Sequence, residues 1–76
     1  MLSYIYRLAM NFEREHGLHP NLLYINPGHM AQLKETFPEP ADFANILRLL
    51  EMELIIDREI IHPQVAWASA ARQRAV

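Results

Sequence analysis

Leu22-Leu23-Tyr24-Ile25-Asn26-Pro27-Gly28-His29-Met30-Ala31-Gln32-Leu33-Lys34-Glu35-Thr36-Phe37 is the stretch that decides the fold of this chain. Four apolar residues open it, and Asn26-Pro27 then breaks the run. Asparagine suits a helix N-cap because its side-chain oxygen accepts from the free amides of the first turn. Proline suits the first helical position, where its missing N–H has no partner to lose. Met30, Leu33 and Phe37 recur at helical spacing until Pro38 stops the pattern. The stretch reads as a strand over 22–25 turning sharply into a helix over about 27–37. Because the strand is apolar on both faces, its expected place is the centre of a sheet.

Upstream, residues 2–16 read as an amphipathic helix with Ile5, Leu8, Ala9 and Phe12 on one stripe. Ser3 could cap its start. Gly17 suits the residue just past its end, because glycine tolerates the left-handed backbone that closes helices, and Leu18 would fold back on the last turn. Downstream, Pro40 can open a helix over about 41–50, with a wide apolar face of Phe43, Ile46, Leu47 and Leu50. Glu51 stands where a glycine terminator is expected. Met52–Asp57 reads as a second strand and Val65–Ser69 as a third. The order α-β-α-α-β-β predicts one α+β domain over residues 1–76, a small three-stranded mixed sheet packed with three helices. The tail from about residue 71 is expected to be disordered.

At 76 residues the chain suits one domain. A domain of this size buries only about 60% of its unfolded surface. Hydrophobic residues nevertheless make up 51% of it. That excess favours a second subunit, a homodimer or a protein partner, that covers apolar surface. The net charge of −2 is spread over mixed acids and bases, so no basic stripe points to nucleic acid. No apolar run approaches the roughly 20 residues of a membrane span. No basic leader precedes the first apolar stretch, so the cytoplasm is the default expectation. With no cysteine, disulfides and thiolate zinc sites are excluded.

Polar residues converge in one place if the first two strands pair in parallel. Their carboxyl ends would then share an edge carrying Asn26, Gly28 and His29 beside Asp57, Arg58 and His62. Open sheets with crossovers tend to bind ligands at that edge. His29, His62 and Asp57 would make the best metal trio, since imidazoles and a carboxylate are proper zinc ligands. The plainer reading, turn residues satisfied by backbone and water, outweighs it, and no metal or cofactor is assigned. His16 and His19 lie at the other end of the strand and do not share a helical face. Asn26-Pro27-Gly28 lacks the glycines and lysine of a phosphate loop. Ser3, Thr36 and Ser69 sit in no nucleophile motif, which leans away from an enzyme.

Tyr24-Ile25-Asn26-Pro27-Gly28-His29-Met30-Ala31-Gln32, followed by Leu49–Ile56 and a short corner before Val65, resembles one segment of tailed-phage major capsid proteins. There a strand ends in Asn-Pro, a helix follows, and a Leu-Leu-Gly step leads into a hydrophobic strand and its partner. The resemblance implies strand–helix–strand–strand order. Glu51 departs from it where glycine is usual, and the chain lacks the arm, loop and second domain of a capsid subunit. In size the chain looks like the short proteins common in bacterial and phage genomes. Two functions follow as expectations: a self-associating, non-catalytic interaction module, or a metal- or small-ligand-binding domain using the Asn26/His29/His62 edge.

Overall fold

The computed structural model describes residues 2–69. Its elements run α1 (Leu2–His16), β1 (Leu22–Ile25), α2 (Pro27–Thr36), α3 (Pro40–Leu50), β2 (Glu53–Ile56) and β3 (Gln64–Ala66). The sheet order is β2-β1-β3, with β1 parallel to β2 and antiparallel to β3. This is the expected α+β fold with a mixed sheet. The apolar strand is indeed the central one, and Leu22, Leu23 and Ile25 are buried in it. The tail expected to be disordered lies outside the described residues.

Register assigns the two faces of the sheet. Leu23 pairs with Leu54 and Val65, and Ile25 with Ile56. Directly paired residues share a face, and this is the face the helices cover. Leu23 and Ile25 meet Ile5 of α1, Leu33 of α2 and Met52 in one buried cluster. Phe43, Leu47 and Leu50 of α3 pack against that cluster. The opposite face carries Leu22, Tyr24, Ile55 and Ala66 and contributes nothing to the cluster.

Helix ends follow local chemistry. Asn26 caps α2: its Oδ1 accepts from the His29 N–H at 2.8 Å, while His29 Nδ1 accepts from the Asn26 N–H at 3.1 Å. Gly17 takes φ +75° past α1, and its N–H donates to the Glu13 carbonyl at 2.8 Å. Leu18 nonetheless stays 38% exposed rather than folding fully back. Glu51 takes φ 59°, ψ 37°, the left-handed conformation glycine usually supplies. Its N–H donates to Arg48 O at 3.1 Å and that of Met52 to Leu47 O at 3.3 Å. Those two bonds complete a Schellman closure without glycine.

Three local expectations are corrected. Ser3 lies inside α1, which already begins at Leu2, so it is not the cap. Strand β2 starts at Glu53, because the Met52 N–H is spent on closing α3. Strand β3 covers Gln64–Ala66 rather than Val65–Ser69. The cause is Asn21, whose side-chain amide takes over the pairing. Its Nδ2 donates to Ala68 O and its Oδ1 accepts from Ala68 N–H, both at 3.1 Å. The side chain thus substitutes for a further strand residue, and Trp67 turns out 46% exposed.

Candidate functional site

Parallel pairing does bring the carboxyl ends of β1 and β2 together. Ile25 lies beside Ile56, and the Asp57 N–H donates to Ile25 O at 2.8 Å. At that edge the side chains of Asn26, His29 and Asp57 each spend polar atoms on holding the local structure. Asn26 Oδ1 and His29 Nδ1 hold the helix start. Asn26 Nδ2 donates to Ile60 O at 3.1 Å, tying the β2–β3 connection to the cap. Asp57 Oδ1 accepts from the Glu59 N–H at 2.9 Å, closing a local turn. Since His29 Nδ1 must accept, the proton of the neutral ring sits on Nε2. Arg58 and His62 are exposed. Among the described residues no three His, Asp or Glu side chains are placed to hold a metal ion.

The open concavity lies elsewhere, between α1 and α3. Helix α1 buries Ile5 and Ala9, while α3, although strongly amphipathic, buries no residue fully. The two helices leave a groove of about 530 Å³ lined by Tyr6, Arg7, Met10, Ile46, Leu49 and Leu50. It continues past Met10 toward Glu13, Arg14 and His19. Leu49 is 80% exposed, Tyr6 56% and Met10 50%. Each of these large apolar side chains leaves half or more of its surface uncovered by the described residues.

Sequence reasoning missed this groove, although its signal was present. Tyr6 and Met10 form an i, i+4 pair beside the Ile5–Ala9 stripe. Leu49 widens the face of α3 beyond what one contact can bury. A helix with more apolar width than its neighbour covers leaves an exposed margin.

His19 closes the far end of the groove. Its Nδ1 lies 3.0 Å from Glu13 Oε2, and its Nε2 lies 2.7 Å from Leu50 O. The hydrogen bond to Glu13 and the one to the Leu50 carbonyl raise the His19 pKa above 6.5, against a smaller opposing effect of burial. His16 plays no part there; its ring stacks at 43° on Phe12, 4.3 Å between centroids.

No helix among the described residues is long and apolar enough to cross a membrane. Comparison with protein-family models, curated proteins and solved structures gives no match.

Proposed function

We propose that this chain is a small, non-catalytic interaction module of the cytoplasm that self-associates through the α1–α3 groove. One observation carries the reading: Tyr6, Met10 and Leu49 stand exposed along a concave apolar surface. Covering three such side chains removes apolar area worth about 25 cal/mol per Å². A chain of 76 residues with 51% hydrophobic content has few other places to hide it. The rim at Asn26 and His29 supports this reading over a ligand edge, because Asn26 Oδ1, Asn26 Nδ2 and His29 Nδ1 are already hydrogen-bonded within the fold.

Sedimentation equilibrium tests the proposal. The expected result is a reversible dimer that Leu49→Gln and Met10→Gln each weaken while thermal stability holds. Both side chains are at least half exposed, so neither substitution empties a core position. A chain that stays monomeric at high concentration overturns the proposal.

A further inference from the structure

We propose that His19 is a proton-operated pin between the two walls of the α1–α3 groove. Its two ring nitrogens face a carboxylate oxygen of Glu13 and the carbonyl oxygen of Leu50. Both partners can only accept. A neutral imidazole carries one N–H and can satisfy one of them; its other nitrogen would then point a lone pair at an oxygen. Only the imidazolium donates to both. The arrangement is therefore complete in one protonation state and broken in the other.

The surroundings agree with a cation here. Leu50 is the last residue of α3, so its carbonyl lies at the negative end of that helix. Glu13 faces the ring from α1, and the Glu51 charge acts on it from the end of α3. Arg14 also lines this end of the groove, but its guanidinium donates to Asn11 Oδ1 at 3.1 Å, back along α1. The His19 side chain keeps 39% of its surface exposed, so solvent protons reach it.

The mechanical consequence follows from position. Glu13 belongs to the last turns of α1, and Leu50 ends α3. One side chain thus ties together the ends of the two helices that wall the groove. With the proton on, the walls are held at a fixed spacing. With it off, one bond is lost and this end is free to part. A preorganised groove binds more tightly than one that must be ordered on binding. Association should therefore be stronger below the folded-state pKa of His19 and weaker above it. This coupling to association rests on the groove being the self-association surface; the pin itself does not.

The experiment titrates the full chain and follows both His19 ring nitrogens by ¹⁵N NMR, alongside sedimentation velocity over the same pH range. The expected result is that both nitrogens stay protonated above the ordinary value of 6.5 and that Glu13→Gln lowers the midpoint. The dimer should weaken roughly two- to fivefold as pH rises through that midpoint, the fold-change an exposed charge-assisted pair supplies. His19→Gln should abolish that dependence. A midpoint at or below 6.5, unmoved by Glu13→Gln, overturns the pin. A raised midpoint with pH-independent dimerisation overturns the coupling. A chain that is monomeric at every pH overturns the groove as a self-association surface instead, and the titration alone then decides the pin.

Discussion

Replacing Glu51 by glycine should stabilise the domain. Glu51 holds φ 59° because the closure of α3 requires a left-handed residue there. For a residue with a Cβ, that conformation costs roughly 1–2 kcal/mol. Glycine removes the cost but loses about 0.5–1 kcal/mol through its freer unfolded state. Removing the carboxylate relieves about 0.3 kcal/mol of repulsion at the negative end of the helix, offset by the lost attraction for the His19 cation. The net expectation for Glu51→Gly is a gain of about 1 kcal/mol. For a domain of this size that raises the melting temperature by roughly 4–8 °C. Glu51→Ala is the control, since it removes the same charge and keeps the strained φ. Urea unfolding of both variants, compared at equal m-value, isolates the backbone contribution. If the glycine variant is no more stable than the alanine variant, the closure does not store the strain assigned to it.

Three further outcomes are expected. Asn26→Ala removes the cap and the tether to Ile60 O together; urea unfolding should register a loss of roughly 2–3 kcal/mol, more than a cap alone provides. Leu23→Ala empties a site that is 1% exposed at the centre of the core and should cost about 2–5 kcal/mol, leaving much of the chain unfolded by circular dichroism at room temperature. Because the folded-state pKa of His19 is raised, its contribution to stability is fully present below 6.5 and is lost as pH rises through the folded value; thermal melts across that window should show it, and His19→Gln should flatten the slope.

Features set by neighbours in the chain were legible in the sequence. Asn26-Pro27 announced a helix start, because a cap is chemistry between residues three apart. Gly17 announced a helix end for the same reason. The uninterrupted apolar run of β1 announced a strand between two others. Glu51 was legible as a misfit, a position that wanted glycine and lacked it. What escaped depended on residues far apart. The amide of Asn21 shortens β3 by pairing with Ala68, and nothing near Asn21 hints at that partner. His19 reaches the end of a helix that begins only at Pro40. The groove is a gap between two helices, and gaps have no residues of their own. The edge at Asn26 was foreseen from parallel pairing, whereas the return bond from the His29 ring to the Asn26 N–H was not.

The order β2-β1-β3 also carries a cost during synthesis. Leu22 pairs with Glu53 on one side and with Ala66 on the other, and both are translated well after it. At ordinary translation speeds the wait is on the order of seconds. Until residue 53 is made the strand of Leu22 has neither neighbour, and until residue 64 it has only one. A chain that stops short of residue 64 would therefore leave one edge of that strand unpaired and open to strands of other molecules.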